Sequence, residues 1–138
     1  MKHLATIAGL VLGLMFTAFS LLFLLDAVPE QPPPPAGSPP AMFMAAFVPT
    51  GYMTFVKLLE LAGGVLVALP LTRNVGLLIL GPIIVNILAF HLFVADGHGL
   101  GDPVLLLICG LAGLLLWCER GAFQNLVTRR SAAKHATT

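Results

Sequence analysis

Charged residues are scarce in this sequence. Only 9% of its 138 residues are charged, 58% are hydrophobic, and the mean hydropathy is +0.98. A soluble domain carries about 25% charged residues, so the charges present here cannot cover a water-soluble domain of this size. The net charge of +1 is too small for a nucleic-acid-binding surface, and the apolar content is too high for a disordered chain. The composition therefore predicts an integral membrane protein.

Cysteines are also few, and the two present, Cys109 and Cys118, lie in one apolar run. The stretch of helix between them spans about 13.5 Å, whereas a disulfide requires Cα atoms within about 7 Å. They cannot pair with each other, and the lack of a C-x-x-C motif argues against a thiol-relay membrane enzyme. The sequence also contains no phosphate-binding loop, nucleophile elbow or H-E-x-x-H motif.

Four apolar runs fill most of the chain. At about 20 residues per membrane-spanning helix, a chain of this length accommodates four spans with short loops. The runs are continuous and lack the alternation of barrel strands, so they predict an all-α, four-transmembrane-helix bundle. We expect a single membrane domain over residues 1–120, with spans at about 4–25, 52–71, 75–95 and 103–118, and a basic tail over residues 121–138.

The basic residues determine the predicted orientation. Lys and Arg occur at the N-terminus, at Arg73 between the second and third runs, and in the tail, whereas the other two loops contain none. Under the positive-inside rule, this distribution places both termini in the cytoplasm and the first and third loops outside. We therefore expect a multi-pass protein with both termini on the cytoplasmic side.

The first outer loop, residues 26–40, is rich in proline. Seven prolines occur among the twelve residues from Pro29 to Pro40, which favours an extended polyproline II connector. The apolar segment Ala41–Val48 follows and is ended by Pro49 and Gly51. This segment predicts a short interfacial helix before the second span.

Ionisable residues inside the predicted spans are the main functional candidates. Lys57 and Glu60 are three residues apart and therefore share one face of the second span. An ion near the bilayer centre costs about 2.5–3.5 kcal/mol on insertion scales, so such residues persist when they are paired, hydrated or functional. Two interpretations stay open here: a self-neutralising structural ion pair, or a site for a proton or a ligand.

The third span runs in the opposite direction and contributes Pro82, Asn86 and His91. Asn86 falls at about the depth of Glu60, and His91 at about the depth of Lys57, so we expect one polar cluster of four residues. Asn86 and His91 are about 140° apart on an ideal helix, and both face the interior only if it is wide or a kink at Pro82 rotates one half. His91 either hydrogen-bonds a neighbour or exchanges protons near neutral pH.

Metal and haem sites find little support in the sequence. His91 lacks a second histidine at its depth for bis-histidine haem. Asp96, His98 and Asp102 lie in the following loop, but their spacing matches no established metal-site pattern. We therefore expect no metal and no covalently bound cofactor.

Small residues mark the helix faces that we expect to turn inward, because they allow two helices to approach closely. They are Gly9, Gly13, Thr17 and Ser20 in the first span, Gly64 in the second, and Gly110 and Gly113, with Trp117, in the fourth.

Three segments carry a resemblance to a known family. Residues 55–64 read FVKLLELAGG, residues 82–87 read PIIVNI, and residues 90–93 read FHLF. They resemble bacterial DoxX-family proteins, whose second span typically reads K-x-x-E-x-x-G-G and whose third span, in one subgroup, reads P-x-x-x-N followed by F-H. The resemblance covers about residues 50–117 and leaves out the proline-rich loop and the basic tail.

The resemblance implies a four-helix protein of the bacterial cytoplasmic (inner) membrane. A relative, DoxD, is a subunit of a thiosulfate:quinone oxidoreductase, and other members are associated with membrane oxidoreductase complexes and oxidative-stress responses. This implies a small oxidoreductase subunit with a quinone or similar lipophilic ligand. The site residues themselves come from membrane physics: Glu60 and His91 are the catalytic candidates, and Lys57 and Asn86 the ligand-binding candidates.

Other functions stay open, and so does the question of whether the chain is an enzyme. It has no group that carries electrons, so an oxidoreductase subunit needs a redox partner protein. A non-catalytic accessory or assembly protein of a membrane complex explains the same features, with the polar cluster as a satisfied buried network. A small-solute carrier is a third hypothesis, and such a narrow bundle would have to form a homo-oligomer. The bilayer is the expected partner in every case, and nucleic acid in none.

Overall fold

A computed structural model describes residues 2–132, and all regular structure in that range is helical. The all-α prediction is confirmed, and each of the four apolar runs forms a helix. The helices are α1 (Lys2–Leu24), α2 (Pro39–Phe47), α3 (Tyr52–Ala68), α4 (Arg73–Ala89), α5 (Pro103–Cys118) and α6 (Arg120–Ala132), and a π-helical turn, Phe90–Val94, extends α4. Part of the predicted tail is therefore helical, and its residues 133–138 lie outside the described range.

Two stretches are long and apolar enough to cross a membrane on their own. They are His3–Leu24 and Arg73–Val94, with 22 residues each. α3 and α5 have only 17 and 16 residues, and each joins a neighbouring helix at a sharp bend, 84° between α2 and α3 and 63° between α5 and α6. Residues 2–132 thus contain two clear apolar spans, or up to four if each bent pair forms one span.

The second apolar run ends its helix earlier than the sequence predicted. α3 stops at Ala68 rather than near Leu71, and Leu69 adopts extended backbone angles (φ −88°, ψ 124°). Pro70 follows Leu69, and the residue before a proline is pushed away from helical geometry by a clash with the proline ring. The loop to α4 is correspondingly longer than expected at its start.

Helix starts follow local sequence signals. The Ser38 side chain accepts a hydrogen bond from the backbone N–H of Ala41, and prolines occupy the first turn of α2. Asp102 caps α5 in the same way, because its Oδ1 accepts bonds from the N–H groups of Val104 and Leu105, and Pro103 opens the helix. Such caps satisfy backbone donors that the first helical turn leaves free.

The four longer helices form an antiparallel ring. α1 packs on α3, α3 on α4, and α5 on both α1 and α4. Gly13 of α1 faces Ala68 at the end of α3, whereas Ser20, further along α1, reaches Glu60 in the middle of α3, so the two helices run in opposite directions. We call the end that carries the loops at residues 25–38 and 95–102 the loop end, and the opposite one the Arg73 end.

Glycines bring α1, α3 and α4 into backbone contact. A Cβ atom on Gly13 would lie 2.5 Å from the carbonyl oxygen of Gly64, and one on Gly76 would clash with the backbone of Val67. The inward-facing prediction is confirmed for Gly9, Gly13 and Gly64, which all lie against neighbouring helices.

The inward-facing prediction for the fourth span is wrong. Nothing lies within 4 Å of a Cβ atom placed on Gly110 or Gly113, and Trp117 is 64% exposed. α5 instead buries a different set of side chains, which are Leu105, Ile108, Ala112 and Leu115. Ala112 is already small enough for close packing there, so the glycines are left on the outer face.

The described residues combine an apolar core with an outer surface that is also largely apolar. Ser20, Glu60 and Arg73 are buried, while many large apolar side chains point outward. Such outward-pointing side chains occur on α1, α3 and α5, and Leu14, Phe55 and Leu106 are each more than half exposed. A surface of this kind suits lipid, because hydrocarbon chains solvate such side chains and water does not.

Candidate functional site

The centre of the candidate site is an ion pair within α3. Lys57 Nζ lies 2.7 Å from Glu60 Oε2, as expected for residues three apart on one helix. The Glu60 side chain is only 4% exposed and that of Lys57 is 20% exposed, so the carboxylate is the more deeply buried partner. The ammonium group also lies 5.9 Å from the ring centre of Phe23 on α1.

A second helix contributes to this ion pair through Ser20. The Ser20 hydroxyl donates to Glu60 Oε2 over 3.4 Å, and Ser20 is fully buried. This contact exists because Gly13 and Gly64 let α1 and α3 approach closely one to two turns away. The sequence placed Ser20 only among small packing residues, so its role as a partner of Glu60 was missed.

His91 is held in a fixed orientation by the π-helical turn. Its Nδ1 lies 2.8 Å from the carbonyl oxygen of Ile87, so Nδ1 donates to this oxygen and Nε2 takes no part in the bond. The loop after the turn folds back over the ring and brings Gly99 close to it. A Cβ atom on Gly99 would lie 2.7 Å from His91 Cδ2. Gly99 also has a positive φ of 84°, so glycine is favoured there for both reasons.

Two cavities lie next to this ion pair and share part of their walls. The first cavity, about 270 Å³, is lined mainly by apolar side chains of α2, α3, α4 and the π-helical turn, among them Phe43, Met53 and Phe90. The second cavity, about 260 Å³, lies towards α1 and α5. Lys57, Glu60 and His91 line both cavities.

The structure therefore brings together the four predicted site residues, with one difference among them. Asn86 lines only the first cavity, is exposed, and makes no side-chain hydrogen bond to the other three. α4 continues as a helix through Pro82, and the local change in geometry comes later, at the π-helical turn that contains His91. A π-helical turn is wider than an α-helical one, and it accompanies the placement of Asn86 and His91 on the same cavity.

Asp102 is a second residue that the sequence did not assign to the cluster. It lines the second cavity together with Glu60 and His91, although its position in a loop suggested only a surface location. The available signal was the Asp-Pro pair that starts α5, because an N-cap aspartate is fixed in place at its helix end.

A separate buried ion pair lies at the Arg73 end. Arg73 was expected in a loop, but it starts α4 and is only 4% exposed. Its NH1 lies 3.2 Å from Glu119 Oε1 at the end of α5, while Nε and NH2 have no hydrogen-bond partner within the described structure. Neither cavity of the polar cluster includes Arg73 or Glu119.

Within residues 2–132, no three His, Cys, Asp or Glu side chains converge closely enough to hold a metal ion. Asp96 and His98 lie at a different cavity from Asp102, on the side of the proline-rich loop. Both cysteines are free thiols.

Comparison of the chain with protein-family models, with curated proteins and with solved structures finds no match. The resemblance to the DoxX family therefore stays a prediction, carried by the segments around Lys57, Glu60, Asn86 and His91.

Proposed function

We propose that this chain is a DoxX-like, four-span protein of the bacterial inner membrane. In this proposal it is a small oxidoreductase subunit that binds a quinone or a similar lipophilic ligand in the first cavity. The observation that carries the proposal is the Lys57–Glu60 ion pair, with His91 beside it, in the wall of a mainly apolar cavity. Ionisable groups at membrane depth are costly, so their position at a cavity favours a role in binding.

The four-span topology is supported by the bent helix pairs and by the apolar outer surface. If α2 with α3, and α5 with α6, each make one crossing, the chain crosses four times. The four longer helices then alternate in direction, and both termini fall at the Arg73 end. Lys and Arg in the chain ends place that end in the cytoplasm by the positive-inside rule.

The polar groups of the first cavity match the chemistry of a quinone. The Lys57 ammonium and the Asn86 amide are hydrogen-bond donors for the ring oxygens, and Glu60 and His91 are groups that exchange protons. Reduction to the quinol adds two electrons and two protons. The protons pass through Glu60 and His91, and the electrons come from a redox partner protein, since no side chain here carries them.

The size and roof of the first cavity also fit this ligand. A volume of about 270 Å³ lies just below the 300–1,000 Å³ typical of drug-sized sites, which suits a single ring. α2 covers the cavity, because Phe43 lines it and packs edge-on against Phe90 at 4.9 Å. The isoprenoid tail would leave between these apolar side chains towards lipid.

The direct test is to identify what co-purifies with the protein. Protein purified in mild detergent is extracted with organic solvent, and the extract is analysed by mass spectrometry, in parallel with the variants Glu60→Gln and Glu119→Gln. We expect near-stoichiometric prenylquinone in the wild type and in Glu119→Gln, and its loss in Glu60→Gln. Folded wild-type protein without any quinone would contradict the proposal.

A second candidate function is that of an accessory or assembly protein with a structural polar cluster. It is favoured by the fact that Lys57 and Ser20 both bond to Glu60, so the buried carboxylate has partners within the protein itself. In that case Glu60→Gln would lower the thermal stability of the protein, and the substitution would have no effect that depends on a bound ligand. The carrier hypothesis is tested separately by solute flux into liposomes.

A further inference from the structure

The second cavity borders the polar cluster next to α1 and α5, whereas the first borders it next to α2, α3 and α4. Its apolar wall includes Phe16, Leu105 and Ile108 of α1 and α5, and its loop-end part includes Gly99 and Asp102. Asp102 is exposed, whereas Glu60 is buried, so the cavity extends from a solvent-exposed residue to a buried carboxylate. The first cavity contains neither Gly99 nor Asp102.

Asp102 is held at this position with a fixed orientation and a free oxygen. Its Oδ1 accepts the backbone N–H groups of Val104 at 2.7 Å and Leu105 at 3.3 Å, and no hydrogen bond to Oδ2 occurs in residues 2–132. An N-cap carboxylate lies next to the partial positive charge of a helix N-terminus. The mouth of the cavity therefore carries a fixed negative charge.

We propose that the second cavity is a hydrated path that connects the loop end of the protein to Glu60 and His91, with Asp102 at its mouth. The path carries water and protons, while the first cavity holds the lipophilic ligand. This inference rests on the proposed function, because a quinone site in the membrane needs a route for protons. It adds that protons are exchanged with the solvent at the loop end, and that Asp102 lies where the path opens.

The charges along the path support this use. The loops at the loop end contain Asp26, Glu30 and Asp96 besides Asp102, and they contain no Lys or Arg. A cation is therefore attracted to the mouth. Lys57 lines the inner end of the cavity, and its positive charge opposes the passage of a metal cation beyond the cluster.

Thiol labelling tests the path without any measurement of quinone or activity. In a variant with Cys109 and Cys118 replaced by alanine, a single cysteine is introduced at Leu105, which lines the second cavity and is 6% exposed. The matched control is Leu80→Cys, because Leu80 is a fully buried core leucine that lines neither cavity. Both proteins are reconstituted in vesicles and treated with charged, membrane-impermeant methanethiosulfonates.

We expect Leu105→Cys to react about ten-fold faster than Leu80→Cys, because a core residue reacts only when the structure opens locally. Single cysteines at Glu30 and Asn125 mark the loop end and the Arg73 end, and the Leu105 cysteine should react from the same side as Glu30. If Leu105→Cys does not fold, Ile108→Cys lines the same cavity one turn deeper and replaces it.

The role of Asp102 is tested by the charge of the reagent. A cationic reagent should react with the Leu105 cysteine about ten-fold faster than an anionic one, because the Asp102 carboxylate attracts the cation and repels the anion. Asp102→Asn keeps the helix cap but should bring the ratio close to unity. A Leu105 cysteine as unreactive as that at Leu80 would overturn the proposed path, and an unchanged ratio in Asp102→Asn would overturn the role of Asp102. If the Leu105 cysteine is labelled as expected but the purified protein contains no quinone, the proposed function is contradicted and the proposed path is not.

Discussion

The two buried ion pairs of this protein differ in which partner is hidden. In Lys57–Glu60 the anion is the buried member, at 4% exposure, and in Arg73–Glu119 it is the cation, at 5%. The first pair lies within one helix and adjoins two cavities, whereas the second joins the start of α4 to the end of α5. A pair within one helix does not hold helices together, and a pair between helices does.

This difference separates a candidate for function from a candidate for stability. The Lys57–Glu60 pair forms in α3 whatever the other helices do, so its burial beside a cavity needs another reason. The Arg73–Glu119 pair, in contrast, depends on two helices. Removal of Glu119 would leave the buried guanidinium group of Arg73 without its ion partner. Loss of one partner of a buried pair is much more damaging than loss of both.

The largest expected effect is on Glu119. We expect Glu119→Ala to lower the free energy of unfolding by about 3–5 kcal/mol, because it leaves the charge of Arg73 buried and unpaired. Glu60→Ala should cost less than half of this, since Lys57 is 20% exposed and its long side chain can turn towards the cavity. Thermal unfolding of both variants in the same detergent measures the difference.

Truncation of the cations is the control for this comparison. Lys57→Met leaves the buried Glu60 without its ion partner, whereas Arg73→Met leaves the half-buried Glu119 close to solvent. The order of the two effects should therefore reverse, with Lys57→Met the more damaging. Equal losses for all four variants would show that burial of the partner does not determine the stability of either pair.

A smaller effect is expected from the backbone contact near Arg73. Gly76→Ala should destabilise the protein by about 1–3 kcal/mol, because a Cβ atom there meets the backbone of Val67, which cannot move without separating α3 from α4. Gly81→Ala is the matched control on the same helix, since nothing lies within 4 Å of its Cβ position. It should be neutral or slightly stabilising. Thermal unfolding distinguishes the two, and equal melting temperatures would contradict a tight α3–α4 contact.

Depth along a helix is the part of the candidate site that the sequence predicts well. Each residue advances about 1.5 Å, so the positions of Lys57, Glu60, Asn86 and His91 within their runs placed them at similar levels. The composition and the continuous apolar runs likewise predicted an all-helical chain. These features depend on local sequence, which is why they could be read without a structure.

Rotation about the helix axis and contacts between helices could not be predicted in the same way. The outward face of Gly110 and Gly113 depends on which side of α5 meets its neighbours, and the burial of Arg73 depends on Glu119, which lies far away in sequence. The π-helical turn at His91 has no local sequence signal that we can identify. Such features are fixed by tertiary packing, which overrides local preference.

The smallest expected effect, and the one that most directly tests the comparison, is on Ser20. The Ser20 hydroxyl donates the hydrogen bond that links the Lys57–Glu60 pair to α1, and at 3.4 Å this bond is long. Ser20→Ala should therefore cost no more than about 1 kcal/mol in thermal unfolding, and it should retain bound quinone because Glu60 and Lys57 are untouched. If Ser20→Ala lowers the free energy of unfolding as much as Glu119→Ala does, both ion pairs hold helices together. The distinction between a functional pair and a structural pair would then be wrong. A small cost with quinone retained assigns the function to the pair itself and leaves Ser20 as a packing residue.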